Sequence, residues 1–464
     1  MIWPLAADHI GSIDSTGALF RTHADIILQD LIILGAGASG LAAAADLARA
    51  GCSALVLDAR DRIGGRIWSH HEPGLALPVE LGAEFIHGLA KPTFALIDKA
   101  AAAAVDSGGE HWSLRDGELR ASHDLFSQIR DAMKATRVLE QKDLSFDAFL
   151  DRHLKDALSS EAREAARTLA QGFDAADTKR ASARAIVEEW TGGASVEAPQ
   201  FRPLGGYGPL LAQLASELRG TGVRLQLDTV IEEVRWTRGS VEIRGNFHGR
   251  PFGARAKRAI VSLPLGVLQQ PQRAPDAVRF APRLTAKRSA LAHLAPGPVL
   301  KVVLRFRSAF WETIDDGRYR DAAFFRVQKA AFPTFWTALP VRTPSIVAWA
   351  AGPKAMQLAG ADRSRIVTAA LDSLRALFGA RVDVEALFES AWVHDWQSDP
   401  YARGAYSYVT VGGDEARKAL AQPLLDTLFF AGEAADCEGE AGTVAGALQS
   451  GARAAREVLA ALRR

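Results

Sequence analysis

Three glycines, Gly35, Gly37 and Gly40, stand in the spacing G-x-G-x-x-G, and an acid, Asp58, follows Gly40 by 18 positions. Those residue types in that order suit a dinucleotide. Gly35 permits a tight turn, Gly37 lets the backbone approach a pyrophosphate, and Gly40 lets a helix pack closely on a strand. A helix N-terminus there offers free N–H groups and a positive dipole end to phosphates. Asp58 is spaced to bind the hydroxyls of an unmodified ribose. Directly after it, "DARDRIGGR" sets Arg60, Arg62 and Arg66 around two glycines. That loop suits an anionic ligand, or else is a solvated basic turn. A second residue with chemical potential is Lys301, in "PGPVLKVVLRFRSAFW". Alternation along a strand puts Val299, Lys301, Val303 and Arg305 on one face. On that pattern alone Lys301 and Arg305 look at water, because lysine is rarely buried unpaired.

The elements that must position these residues are legible nearby. "LIIL" is a short apolar strand of the kind buried in a parallel sheet. "LAAAADLARAG" is an alanine-rich helix closed by Gly51, and "SALVLD" is a second strand ending in Asp58. Strand, glycine turn, helix, strand and acid together make the dinucleotide reading much stronger than the glycines alone. The stretch 31–48 has the length of a membrane span, but three glycines and Asp46 interrupt it. Further on, "EAREAARTLAQGF" and "SRIVTAALDSLRALFG" have helical spacing, and "VLKVVLRF" and "SIVAWAA" read as strands. "RGSVEIRGNFHGR" reads as a hairpin.

Bulk properties restrict the function classes. The chain has 464 residues, enough for two or three domain-sized units. Its 55 basic and 54 acidic residues leave a formal charge of +1. That balance supplies no attraction to nucleic acid or to an anionic membrane. Cys52 and Cys437 are the only cysteines, so neither a zinc site nor a disulfide framework is expected, and a reducing, cytoplasmic setting is the default. Residues 1–24 lack the pattern of a secretory signal and read as an N-terminal extension. The end, "GARAAREVLAALRR", is a basic amphipathic helix and not an apolar anchor. Adjacent His70 and His71 read as polar surface, and no metal is expected.

"VLDARDRIGGR" resembles the stretch shared by FAD-dependent amine oxidases: monoamine oxidases, polyamine oxidases, L-amino-acid oxidases and lysine-specific histone demethylases. The resemblance continues in order through "VELGAEFIHG", "RPLGGYGPLLAQLA", "GVRLQLDTVIEEVRW", "AIVSLPLGVLQQ", "WQSDPYARGAYSYVTVGG" and "LFFAGEAADCEGEAGTVAGALQSGARAA". It is closest to polyamine oxidases. It implies an α/β fold with a discontinuous, Rossmann-like FAD-binding domain over 25–88, 203–280 and 395–464. Residues 89–202 and 281–394 would form an α+β substrate-binding domain. FAD would lie along Gly35, Gly37, Ala38, Ser39 and Gly40. Asp58, Ala59 and Arg60, then Gly65 and Arg66, would continue the site. Val230 would meet adenine through its backbone, "GVRLQLDTVIEEVRW" being a strand pair. Gly432 and Glu433 would meet the ribityl chain, and Thr443 and Val444 would open a helix aimed at the pyrimidine end of the flavin.

The same resemblance gives Lys301 a catalytic position beneath the flavin, and Tyr406 one beside the substrate amine. His87, Trp396, Tyr401 and Thr443 would line the substrate region, where aromatic walls suit a neutral or cationic amine. Monoamine oxidases carry a second tyrosine where this chain has Thr443. They also carry a flavin-linked cysteine where it has Ala405, so FAD would be held non-covalently. The implied reaction oxidises a small-molecule amine, a polyamine by preference, to an imine. Dioxygen becomes hydrogen peroxide, and water converts the imine to a carbonyl. An L-amino-acid oxidase is the nearest alternative and would need an arginine for the substrate carboxylate. A flavin-dependent desaturase, a porphyrinogen-type oxidase or a non-enzymatic FAD scaffold are the others.

Overall fold

A computed structural model describes residues 27–121, 125–192 and 198–463, so the expected extension 1–24 lies outside the described residues. In chain order the first half supplies β1 (Ile27–Leu34), α1 (Ala38–Arg49), β2 (Ala54–Leu57), β3 (Glu110–Arg115), α2 (Ser160–Phe173) and α3 (Ala183–Thr191). The second half supplies β4 (Val223–Gln226), β5 (Thr229–Thr237), β6 (Ser240–Phe247), β7 (Arg250–Val261), β8 (Val299–Phe306), β9 (Ala322–Arg326), β10 (Thr334–Thr337) and β11 (Ser345–Ala351). After these come α4 (Arg363–Phe378), β12 (Phe388–Asp395), β13 (Leu428–Phe430) and α5 (Val444–Leu462).

The apolar stretch 31–48 is split between β1 and α1, and among the described residues no helix is long and apolar enough to cross a membrane. β1 is apolar over Leu31–Leu34, where both its faces are buried. Leu31 and Ile33 pack on α1 and α5, and Ile32 and Leu34 pack toward Val234, Trp236 and Ile243. This strand sits inside an eight-stranded sheet in the order β4-β2-β1-β7-β6-β5, with Arg279–Ala281 beyond β5 and β13 parallel to β7. α1 and α5 touch backbone to backbone: a Cβ on Gly451 would come within 2.1 Å of the Ser39 carbonyl oxygen.

β6 and β7 form the expected hairpin, with His248 and Gly249 both at positive φ, the conformation a two-residue turn needs to match strand twist. The stretch 222–236 is different. β4 joins β2 in the parallel part, and β5 starts the antiparallel meander with β6, so the two strands do not pair with each other. Leu227 and Asp228 therefore make a crossing between two parts of the sheet. The strand-pair expectation failed because two short strands with a two-residue gap look alike in sequence whether or not they pair.

A second, seven-stranded sheet runs β12-β8-β11-β10-β9-β3, ending at Glu118–Ala121. Strand alternation gives it two unlike faces. Leu300, Val302, Leu304, Phe325, Phe335 and Ile346 pack against Ile366, Ala370, Leu374 and Leu377 of α4. Lys301, Trp349, Thr334 and Arg326 face the other way, into a cavity of about 1360 Å³ that reaches the glycine turn of the first sheet.

Candidate active site

The nucleotide end of the cavity is built by glycines. Gly35 has φ +109°, and a Cβ on Gly40 would lie 1.9 Å from the Gly35 carbonyl oxygen, so no side chain fits there. Gly37 starts α1 without any side-chain cap, leaving first-turn N–H groups free to face a ligand. Asp58 accepts from the backbone N–H of Ala36 at 2.7 Å and of Arg60 at 2.9 Å, which holds the turn. Its burial raises the carboxyl pKa against those bonds. Gly35, Gly37, Ala38, Ser39, Asp58, Ala59, Arg60, Gly65, Arg66 and Val230 all line the cavity, and Gly40 lies behind them in the helix contact.

The three loop arginines have separate tasks. Arg60 donates from Nη2 to both carboxylate oxygens of Asp399, at 2.7 and 2.8 Å. Arg62 donates to the carbonyls of Ile63, Gly65 and Ile67 and stacks on Trp68, so it shapes the loop from within. Arg66 bonds Glu433 at 2.9 Å and also reaches the Ala405 carbonyl. Glu433 is buried and further held by the Ser407 N–H and hydroxyl. Burial would raise its pKa, but Arg66 and Arg417 draw it below the ordinary value, so it stays ionised. Gly432, Glu433, Thr443 and Val444 line the cavity. The Thr443 hydroxyl accepts from Gly446 N–H and donates to the Glu440 carbonyl, so it caps α5 and has little left for a substrate.

Lys301 does not look at water. It is 1% exposed, and its Nζ donates to Glu84 at 2.7 Å and to the Gly82 carbonyl at 3.1 Å. Glu84 also accepts from Arg202 at 2.9 Å and from the Trp336 indole at 3.1 Å. Burial pushes the Glu84 pKa up, yet Lys301 and Arg202 outweigh it and hold the carboxyl below its usual range. Glu84 is thus committed to two cations and is not free for a polycationic ligand. Glu80 lies behind it, buried, accepting from Ser69 at 2.6 Å and from Tyr207 N–H at 2.9 Å. Burial pushes its pKa up to about 7. Arg305, on the same strand face, is part-exposed and paired with Glu389 at 3.0 Å.

Tyr406 is deep in the cavity wall, its hydroxyl donating to the Phe173 carbonyl at 2.6 Å. His87 stacks edge-on against Phe173 at 5.3 Å, and burial lowers its pKa to about 4, so the imidazole is neutral. Trp396 is 2% exposed and donates to the Leu81 carbonyl. Tyr401 also lines the cavity, but away from Tyr406. The residue is 36% exposed, and its ring centre lies 5.4 Å from the Arg60 guanidinium, at the nucleotide end. A position five residues before Tyr406 did not carry it to the same wall, because Arg403 and Gly404, both at positive φ, turn the chain between them.

Two acids on this wall had no sequence signal strong enough to single them out. Asp174, just past α2, is 6% exposed, and its Oδ1 has no hydrogen-bond partner among the described residues. Glu189 on α3 lines the same cavity with its side chain exposed to it. Burial, and then the Glu189 charge, raise the Asp174 pKa well above the ordinary range. Burial likewise raises Glu189, with Arg417 pulling it back. Burial first, then both acids, also raise the Tyr406 phenol. The only hint was an acid next to Trp190, a core residue of an amphipathic helix.

Residues 38–459 match the sequence profile of the family described as flavin containing amine oxidoreductase. Probable polyamine oxidase 4 of Arabidopsis thaliana is 27% identical, covering 93% of this chain and 87% of its own. Lysine-specific histone demethylase 2 of Homo sapiens is 25% identical over 93% of this chain and 53% of its own. Lysine-specific histone demethylase 1 homolog 3 of Arabidopsis thaliana is 27% identical over 94% and 30%. The chain thus spans between about a third and a half of those demethylases. Among solved structures, wild-type putrescine oxidase bound to putrescine superposes with a TM-score of 0.78 at 22% identity, covering 94% of this chain and 100% of that one. Cyclohexylamine oxidase from Brevibacterium oxydans IH-35A gives 0.74 at 21%, covering 94% and 100%. These two likenesses establish the α/β fold with a Rossmann-like nucleotide sheet.

Proposed function

As the chain belongs to the flavin-containing amine oxidoreductase family, whose cofactor is FAD, we propose that it oxidises a di- or polyamine with dioxygen as electron acceptor. The observation that carries the polyamine reading is the pair Asp174 and Glu189 on the cavity wall near Tyr406. Two neighbouring acids, Asp174 buried with an unpartnered oxygen and Glu189 exposed to the cavity, would be stabilised by a cation brought in from outside. A monoamine places its single nitrogen at the reacting centre, and a diamine has a second ammonium to give them. The name of the Arabidopsis relative agrees with this substrate class.

The residues present fit FAD. The glycine turn admits no side chain at Gly40, the uncapped start of α1 faces the cavity, and α5 presents its own start to the same space. When bound, FAD accepts two electrons and the α-hydrogen of the amine. This chain's side chains do the rest. Gly35, Gly37 and Arg66 would hold the pyrophosphate region, and Glu433 the sugar chain. Ala405 offers no thiol, so the attachment is non-covalent. Tyr406 and Trp349 wall the substrate and exclude water, and Lys301, oriented by Glu84 and the Gly82 carbonyl, stands at the reacting edge. The α carbon loses a hydride equivalent to give an imine, dioxygen takes two electrons and two protons to become hydrogen peroxide, and water hydrolyses the imine. The division into 25–88, 203–280 and 395–464 for FAD and the remainder for substrate belongs to this reading, as does a cytoplasmic setting.

Anaerobic addition of spermine, spermidine, putrescine, a monoamine and an amino acid to the purified yellow protein tests it. Bleaching of the flavin fastest with a di- or polyamine is expected. A faster monoamine or amino acid rejects the polyamine assignment, and no bleaching by any of them rejects the oxidase.

A further inference from the structure

Four cavity-facing residues form one row across the second sheet. Lys301 on β8 pairs in register with Trp349 on β11, Trp349 with Thr334 on β10, and Thr334 with Arg326 on β9. Directly paired residues project from the same face, and all four line the cavity. Three strand spacings separate the first from the last, roughly 14 Å. Arg326 is half-buried, its guanidinium lies 5.9 Å from the centre of the Phe324 ring, and among the described residues it has no ion pair or hydrogen-bond partner. Burial lowers its pKa, and no carboxylate raises it. Neighbouring His111 has a pKa of about 4 through burial first and Arg326 second, so it is neutral. A half-buried guanidinium without a counter-ion is open to an incoming anion, and Arg326 brings a single positive charge.

We propose that Arg326, set in register with Thr334 at the end of the row that begins at Lys301, is a subsite for a carboxylate on the far end of a linear amine substrate. This rests on the amine-oxidase reading and narrows its substrate class to chain-like amines bearing a terminal carboxylate, such as acidic conjugates of polyamines. A planar guanidinium matches a carboxylate in a bidentate fork, and one positive charge with neutral neighbours suits a monoanion better than a phosphate dianion. An α-amino acid does not fit this row. Its amine and carboxylate share one carbon, whereas Lys301 and Arg326 stand three strand spacings, roughly 14 Å, apart.

Linear amino acids with terminal groups, from γ-aminobutanoate to ω-aminododecanoate, and their primary amides of equal length separate charge from shape. Anaerobic flavin bleaching gives kcat/KM, and the shift of the flavin absorbance on binding gives affinity without turnover. The long acid should exceed its amide by about ten-fold or more, the size of a charged hydrogen bond, and the short acid should not. Arg326→Gln should collapse that ratio toward one, with flavin content and melting temperature as checks on folding. Amines that bleach the flavin with no acid-over-amide advantage at any length overturn the subsite and leave the oxidase standing. Tighter binding of the long acid without bleaching by any amine keeps the subsite and rejects the oxidase. Neither bleaching nor preference rejects both.

Discussion

Lys301 and Glu84 are joined by a 2.7 Å ion pair across 217 positions of sequence, and the lysine is 1% exposed. The carboxylate is shared with Arg202, which itself bonds the carbonyls of Thr337 and Leu339. The three groups together carry one net positive charge, with both cations buried. Their arrangement ties the segment around Glu84 to β8 and to the end of β10 in the second sheet.

The two ends of this pair should respond unequally to mutation. Lys301→Met leaves Glu84 still paired with Arg202. Glu84→Ala leaves two buried cations facing each other, a loss of about 3–5 kcal/mol. Urea unfolding should therefore rank Glu84→Ala as the less stable protein. Lys301→Met should instead lower turnover by about ten-fold or more, equal to one interaction of about 1.4 kcal/mol in the transition state. Equal stability losses, or an unchanged turnover in Lys301→Met, would return Lys301 to a structural role.

Glu80 makes stability depend on pH. Its folded pKa is raised to about 7 from an ordinary 4.5. Between those values the folded protein binds more protons than the unfolded chain, so unfolding free energy falls as pH rises through that window. Asp174 and Glu189 act with the same sign. Glu84 and Glu433, held low, oppose this only in more acidic solution. Glu80→Gln keeps an acceptor for Ser69 and Tyr207 but removes the titration. It should be more stable than the parent above pH 7, by up to about 3 kcal/mol, and similar near pH 4.5. Parallel stability curves for the two proteins would contradict this.

The acidic pair should sort substrates. Asp174→Asn or Glu189→Gln removes charge from the wall, so KM for a diamine should rise by about ten-fold and more than KM for a monoamine of equal length. In the parent the diamine KM should fall as pH rises, because both carboxyl pKa values are raised and ionisation creates the cation site. Steady-state KM against pH for the two amines reads both effects.

Backbone contacts at two glycines should control cofactor retention. Gly40→Ala puts a Cβ 1.9 Å from the Gly35 carbonyl oxygen, and Gly451→Ala puts one 2.1 Å from that of Ser39. Neither partner is a flexible side chain. Each should cost about 1–3 kcal/mol by forced displacement, and Gly40→Ala should release more flavin on gel filtration because its shift moves the turn itself. Acid-extracted flavin per chain is the measurement.

Much of this molecule was legible in local sequence. The turn at Gly35, the helix behind it, the acid at Asp58, the strand Val299–Phe306 and the hairpin at His248–Gly249 all depend on residues a few positions apart. Glycine conformation, capping and alternation act over that range, so reading them needs no partner. Alternation also placed Lys301 and Arg305 on one face, and they do share it. Which way that face looked was not local. Only packing decided that α4 covers the even-numbered residues while Lys301 meets Glu84, and that Arg305 reaches the rim and Glu389. The acids Asp174 and Glu189, the unpaired Arg326 and the displaced Tyr401 were equally invisible. Burial and charge pairing are set by segments far apart in the chain that meet only when the two sheets close on one cavity, and no short window of sequence contains both partners.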